Sequence, residues 1–266
     1  MRILGKYFLV LWIIIRNSFY KITTYRANFF SGLITDFCFN ISRVVFVNVL
    51  FLNVGNLGNW NEYHYMIFFG SSFLAESIYM FFFYNSHTTI SLQINNGDMD
   101  FLLTKPMSEM FMLSAMNVNI GSGLSNFILG VIFISKGMKE LNLQKSVAEM
   151  CFYAVLIVCG SIVYFSVSLM INLLSFWFVR ANNVFEIFMN VTDLYRYPGD
   201  IFSKKFSLFI TLMIPLQLIS MIPAKYLLDS VKVSGLVLEM VYPIIFLLLC
   251  YGFMRLAIAS YTSASS

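Results

Sequence analysis

The sequence predicts an all-α polytopic membrane protein with six transmembrane helices, and three observations lead to this fold class. Hydrophobic residues make up 59% of the 266 residues and charged residues only 11%, against about 25% charged residues in soluble domains. Long unbroken apolar runs favour helices over the alternating strands of a membrane β-barrel. No polar segment is long enough for a soluble domain, so residues 1–266 are predicted to form one transmembrane domain. The runs that reach the about 20 residues needed to cross a bilayer lie at 30–53, 63–88, 109–135, 147–179, 207–227 and 237–258.

The N-terminal segment 2–26 is predicted to be a helix that lies in the membrane interface. Its apolar run YFLVLWIII is too short to span a bilayer, and a seventh span is the alternative. A signal peptide would have a small-residue cleavage site after this run, where Arg16 and Asn17 stand instead. Basic residues flank the run on both sides, at Arg2, Lys6, Arg16, Lys21 and Arg26.

The distribution of basic residues predicts that both termini lie in the cytoplasm. With the N-terminus inside, 11 Lys and Arg residues face the cytoplasm, five face outward, and Arg43 lies within the membrane. This asymmetry agrees with the positive-inside rule. Under this topology the loops 95–106 and 180–206 are cytoplasmic.

The stretch NNGDMDFLLTKP (95–106) interrupts the apolar sequence with a short predicted helix. Gly97 ends the preceding helix, an acidic residue begins the next one, and Pro106 discourages its continuation. Met99, Leu102 and Leu103 share one side of this helix. Such a helix needs a surface to pack on, which favours docking of a partner; a hairpin turn without a partner is the alternative.

The longer loop 180–206 has an apolar stripe typical of an amphipathic helix lying in the membrane interface. This helix is expected to end before Pro198, and a simple connector at the membrane surface is the favoured interpretation. The stripe consists of Val184, Phe185, Phe188 and Leu194.

Two charged residues fall inside predicted spans, where each charge costs a few kcal/mol or more. Arg43 in span one and Glu76 in span two lie at a similar depth, about 18 Å from the inner end of each span. We expect them to form an ion pair, with Asp36 and Asn40 on the same stripe as Arg43. The pair either locks the two spans together, the favoured alternative, or belongs to a translocation path.

Spans three to five carry polar, small and proline residues that either support close helix packing or line a polar cleft. Ser122, Asn126 and Gly130 form a small-residue face on span three, and span four carries a serine-rich face that is expected to pack against it. Pro215 and Pro223 are predicted to kink span five. The candidate path residues besides the ion pair are Asn119, Asn126, Asn172 and Gln217.

No catalytic or metal site is predicted. Gly5-Lys6-Tyr7 lacks the first glycine and the hydroxyl of the phosphate-binding pattern G-x-x-x-x-G-K-[ST]. The cysteines lie in apolar runs without a CxxC pattern, and His64 and His87 lie near opposite ends of span two. The chain is therefore expected to be no enzyme and to hold no cofactor, and any ATP-driven motor must be another polypeptide.

The pattern G-x-x-D-x-x-L-x-[KR]-P, formed by Gly97, Asp100, Leu103, Lys105 and Pro106, resembles the permease subunits of bacterial type 2 ABC exporters. More narrowly, it resembles the half-size six-helix permeases with G-x-L-D-x-x-L-L-x-R-P, although Met99 and Lys105 replace the leucine and arginine of that pattern. The segments YPGDIF (197–202) and IPLQLISMIPAKYLL (214–228) resemble the family's Tyr-Pro segment and its fifth span with two prolines.

The resemblance implies that the loop after span two is a coupling helix that docks on an ABC ATPase. It also implies two such ATPase subunits that bind ATP and Mg, a second permease that is identical or paralogous, and a location in the bacterial cytoplasmic membrane. The polar outer rim is expected at Lys225, Asp229, Lys232 and Glu239. The residues carried over as the docking helix are Gly97, Asp98, Met99, Asp100, Phe101, Leu102, Leu103, Lys105 and Pro106.

The expected function is that of a permease subunit that exports a hydrophobic or amphipathic substrate, such as a peptide, a lipid-like molecule or a drug. Export as the direction follows from the resemblance alone. The alternative is a secondary transporter or channel driven by an ion gradient, with Glu76 as relay.

Overall fold

The computed structural model describes residues 2–178, 197–199, 203, 205, 216–231 and 233–261, and these residues are almost entirely helical. A short 3₁₀ segment, Leu174–Phe176, extends one helix, and no β-strand occurs among the described residues. The helices are α1 (Arg2–Thr24), α2 (Arg26–Val54), α3 (Glu62–Phe82), α4 (Tyr84–Asn96), α5 (Asp98–Leu103), α6 (Glu109–Ser114), α7 (Ile120–Glu140), α8 (Val147–Leu173), α9 (Leu216–Leu227) and α10 (Val233–Ala259).

Within the described part of the chain, five helices are long and apolar enough to cross a membrane: α2, α3, α7, α8 with its 3₁₀ extension, and α10. The predicted all-α polytopic fold is confirmed. Of the predicted span 207–227, the structure describes only the part that forms α9. The interfacial helix of the loop 180–206 lies outside the described residues.

Two predicted spans have different ends in the structure. Span two was expected at 63–88, but α3 ends at Phe82 and a separate helix, α4, follows a break at Phe83. Span three was expected at 109–135, but α6 is a separate short helix and the spanning helix α7 begins only at Ile120. For span three the physical reason is capping: the Ser108 and Asn119 side chains accept hydrogen bonds from backbone N–H groups in the first turns of α6 and α7. For span two the helix is interrupted by the backbone of Phe83, with φ −124° and ψ −30°, and no side chain caps the break.

The core of the bundle forms around α3, most of whose side chains are buried. Close approach to α7 depends on glycine, because a β-carbon on Gly70 would lie 2.7 Å from the Ile134 side chain and one on Gly137 would lie 2.7 Å from the Ile67 side chain. The expectation that the small-residue face of span three packs on span four is therefore wrong. The main neighbour of α7 is α3, while α8 packs mainly on α10.

The helix α1 lies across the end of the bundle that carries α5, here called the α5 end. The Lys6 Nζ donates to the Pro106 carbonyl at 2.9 Å, and the Tyr7 hydroxyl accepts from the Ser108 N–H at 2.9 Å. Its other side exposes Phe8 and Trp12. An apolar side of this kind, next to basic residues, is typical of a helix in a membrane interface.

Candidate functional site

The expected short helix after span two is present as α5. Gly97 has φ 78° and ψ 4°, the left-handed conformation that glycine adopts without steric cost, so it ends α4 and turns the chain directly into α5. Asp98 and Asp100 lie in the first turn of α5, where the helix dipole favours carboxylates, although neither side chain caps the helix.

The apolar side of α5 is buried within the protein itself. Met99 is fully buried and Leu102 is 8% exposed, in contact with the hydrophobic core. The sequence-based expectation that Leu102 meets a partner is therefore wrong: this side chain fixes α5 on the bundle. Phe101, on the opposite side, is 73% exposed, and Asp98, Thr104, Lys105 and Pro106 are exposed around it.

The segment that follows α5 is tied to both ends of the chain. The bonds from α1 to Pro106 and Ser108 hold it on one side, and the rings of Tyr7 and Phe111 meet edge-on at a centroid distance of 5.2 Å. On the other side the Arg255 Nη1 of α10 lies 3.7 Å from the Glu109 Oε1. A push on α5 would therefore act on α1, α4, α6 and α10 together.

The expected intramembrane ion pair is present between α2 and α3. The Arg43 Nη1 lies 3.9 Å from the Glu76 Oε2, and the Glu76 side chain is only 3% exposed. The same guanidinium donates to the Asn40 Oδ1 at 3.3 Å, and its Cζ lies 5.7 Å from the centre of the Phe73 ring. These contacts link α2 to the core; whether they also serve transport stays a prediction.

The other polar candidates lie in different places. Asn119 does not lie within a span, because it caps the first turn of α7. Asn126 is buried on α7, and Asn172 is buried on α8, where its Nδ2 donates to the Ser168 carbonyl at 2.9 Å. The Ser122 hydroxyl donates to the Asp36 Oδ2 at 2.6 Å and so joins α7 to α2.

Pro223 lies inside α9 and is buried there. Pro215 lies outside the described residues, and the side chain of Gln217 is not described, so the two predictions about them stay predictions.

A buried polar cluster between α3, α4 and α8 escaped the sequence interpretation. The Tyr79 hydroxyl lies 2.5 Å from the Ser168 Oγ, and the His87 Nδ1 lies 3.2 Å from the same oxygen. Ser168 is more than 80 residues from Tyr79 and His87 in the sequence, so no local pattern predicts that the three meet. No group of three or more His, Cys, Asp or Glu residues within the described ranges is arranged to hold a metal ion.

The end of the bundle opposite α5 has its own polar contacts. The Lys145 Nζ lies 2.5 Å from the Asp229 Oδ1 and 3.6 Å from the Glu149 Oε1. Desolvation opposes the charge of Lys145, but its hydrogen bond to Asp229 and the attraction of both carboxylates outweigh it and raise the pKa of the ammonium group. Glu239 does not join this polar rim, because it is 2% exposed inside α10.

Comparison with known proteins gives one finding. A family model described as "ABC-2 family transporter protein" matches residues 37–265, which is most of the chain. No curated protein and no solved structure matches. Because the family model covers all five membrane-spanning helices except the first part of α2, the chain belongs to the ABC-2 transporter family.

Proposed function

We propose that this chain is the permease subunit of an ATP-driven exporter and that a separate ABC ATPase docks on α5. The permease itself carries out no chemistry. It lies in the bacterial cytoplasmic membrane with the α5 end in the cytoplasm, and two permeases and two ATPase subunits form the transporter. Its substrate is a hydrophobic or amphipathic molecule such as a peptide, a lipid-like molecule or a drug.

The observation that carries this proposal is the way α5 packs on the bundle, with one side buried and the other exposed. An exposed aromatic side chain, Phe101, stands on a helix whose opposite side is locked in the core through Met99 and Leu102. Aromatic side chains at the centre of an interface contribute much of its binding energy. A solvent-exposed phenylalanine at this position, flanked by Asp98 and Lys105, supports a protein partner with an apolar pocket and a polar rim.

The way α5 is connected to the bundle also supports a route by which movement of the ATPase reaches the membrane-spanning helices. Because α5 is joined to α4 through the single residue Gly97, and α4 follows α3 after a break at Phe83, movement of α5 is transmitted to the central helix of the bundle. ATP binding that draws two ATPase subunits together would displace both copies of α5. The spans would then close around the substrate or release it on the other side.

Replacement of the exposed aromatic residue tests the docking site. We expect Phe101→Asp to weaken ATPase binding by about 2 kcal/mol, roughly 30-fold, because it places an unpaired charge where an aromatic anchor is needed. The measurement is the amount of ATPase, identified by mass spectrometry and ATP hydrolysis, that co-purifies with the tagged permease from its native membrane. Membrane insertion should be unchanged, since Phe101 is 73% exposed.

The matched control is Leu92→Asp, which makes the same chemical change at an exposed position, 54% accessible, on the preceding helix α4. Equal loss of the ATPase in both variants would contradict a docking site centred on α5. Transport that follows an ion gradient and persists without ATP would instead favour the alternative in which Glu76 acts as a relay.

A further inference from the structure

An open polar cavity of about 500 Å³ lies at the α5 end, where α1, α2, α4 and the start of α7 meet. Eight of its fourteen lining residues carry an amide or a hydroxyl group, beside apolar side chains. The lining residues used below are Ser18, Lys21, Asn85, Asn117, Asn119 and Gly121.

The charge of the cavity is positive. Lys21 contributes a positive charge to its lining, and no Asp or Glu occurs among the described residues that line it. The Lys21 Nζ makes only one long contact, 3.4 Å to the Asn117 Oδ1, and so keeps N–H groups free for a ligand. A cavity of this composition favours an anion over a cation.

A second observation points to a ligand. Ser18 lines the cavity, its residue is only 9% exposed, and its hydroxyl makes no hydrogen bond within the described residues. The Ser18 oxygen is not itself sealed from solvent, so the hydroxyl is accessible from the cavity and free to donate to a bound acceptor. The amides of Asn85 and Asn119, by contrast, are engaged with each other at 3.5 Å, and the Asn119 Oδ1 caps α7.

The cavity continues along the membrane-spanning helices. A second open cavity of about 390 Å³ shares Asn28, Phe29, Asn119 and Gly121 with the first and extends between α2 and α7 as far as Asp36. The distance from Asn28 to Asp36 corresponds to about 12 Å along a helix. The same stretches of both helices expose apolar side chains that do not line the cavities, at Phe30, Ile34, Phe37, Leu124 and Phe127.

These features together indicate an amphipathic anion. The Lys21 end suits a phosphate, whereas the Asp36 carboxylate at the deeper end repels a second anion and so sets the orientation of the ligand. The exposed apolar side chains of α2 and α7 suit acyl chains. We propose that this cavity binds the phosphate headgroup of a membrane phospholipid from the leaflet at the α5 end, with its chains along α2 and α7.

The test measures lipid binding and needs no transport, so it is independent of the proposed function. The permease is extracted from its membrane with its bound subunits, and binding of phosphatidylglycerol is quantified by native mass spectrometry. We expect Lys21→Gln to weaken this binding about tenfold, because a hydrogen bond from a charged donor is lost. Ser18→Ala should weaken it less, by about twofold to fivefold, because it removes one hydrogen bond to the phosphate and no charge.

The matched control is Arg16→Gln, which removes the same charge from an exposed position on α1 that does not line the cavity. Its binding should fall less than about twofold, as expected for a screened surface charge. Two further ligands separate the possible sources of affinity: diacylglycerol has the chains without the phosphate, and glycerol 3-phosphate has the phosphate without the chains.

Each contrary result would overturn the proposal. Equal loss in Lys21→Gln and Arg16→Gln would indicate diffuse surface attraction. Diacylglycerol binding as tight as that of phosphatidylglycerol would indicate an apolar groove, and glycerol 3-phosphate binding as tight as that of the lipid would indicate a site for a soluble phosphate. Thermal melting of each variant verifies that the fold is intact.

Discussion

The helices α2 and α3 flank the same helix, α7, but they are held in different ways. Glycines bring α3 and α7 so close that a β-carbon at Gly123 would lie 2.6 Å from the Phe81 Cβ. Between α2 and α7 two open cavities separate parts of the helices, and a β-carbon at Gly121 would meet only the ends of the Phe29 and Leu33 side chains, at 3.3 Å. The pair α3–α7 is thus a fixed unit. The second half of α2 is held in the core by Val47 and Phe51, whereas its first half, beside the cavities, is attached mainly by polar contacts.

This difference indicates which helices can move relative to each other in the bundle. Tight backbone contact leaves no room for sliding, because packed interiors deform little. A hydrogen bond from Ser122 to Asp36 and the ion pair between Arg43 and Glu76 hold the first half of α2 and its middle. Polar links of this kind can be exchanged for other partners, so the first half of α2 is the part expected to shift relative to α3 and α7.

The largest expected effect comes from breaking the tight contact. Gly123→Val should destabilise the protein by about 3 kcal/mol or more, because its side chain would collide with the Phe81 backbone Cα, 2.9 Å from a β-carbon. Thermal unfolding in detergent and the monodisperse fraction after extraction measure this loss. The control Gly32→Val lies on α2, where a β-carbon meets nothing within 4 Å, and it should leave both readouts nearly unchanged. Equal tolerance of both valines would contradict the fixed α3–α7 unit.

A smaller effect is expected from removing one charge of the ion pair. Glu76→Gln should cost about 1–3 kcal/mol, since it leaves the partly buried Arg43 without its counter-charge. Thermal unfolding and substrate export are measured side by side, with Glu62→Gln at the start of α3 as the control. Loss of stability in proportion to loss of export supports a structural lock, while intact stability with altered export supports a translocation path. No change in either quantity would refute both roles.

The smallest effect concerns the attachment of α2 in its first half, nearer the α5 end. Ser122→Ala removes the hydrogen bond to Asp36 and should cost less than about 1 kcal/mol, because the adjoining cavity is open and water can solvate the carboxylate. Ser125→Ala is the matched control, since that hydroxyl bonds only to the Gly121 carbonyl of its own helix. A loss as large as that of Gly123→Val would show that α2 is no less rigidly held than α3.

Much of the fold and part of the site follow from the sequence. The apolar runs predicted the spans because hydropathy is a local property, and the turn at Gly97 was predictable because a left-handed residue favours glycine. The depth of Arg43 and Glu76 in their spans was enough to predict their pairing. The end of α3 and the start of α7 were predicted incorrectly. Helical residues continue past Phe83 as the separate helix α4, and the apolar residues before Asn119 form the separate helix α6.

By itself the sequence determined that this chain spans a membrane by helices, that a short helix follows the second span, and that its pattern is that of a type 2 ABC permease. Only the tertiary structure decided which side of that short helix is available. Met99 and Leu102 lie on one side and Phe101 on the other. All three are apolar, so local composition cannot distinguish the side chains that fix the helix on the bundle from the side chain that is exposed. The packing of α4 and α6 makes that distinction, because burial depends on neighbours that are distant in the sequence. The same reason explains the cavity at Lys21, whose walls come from four helices.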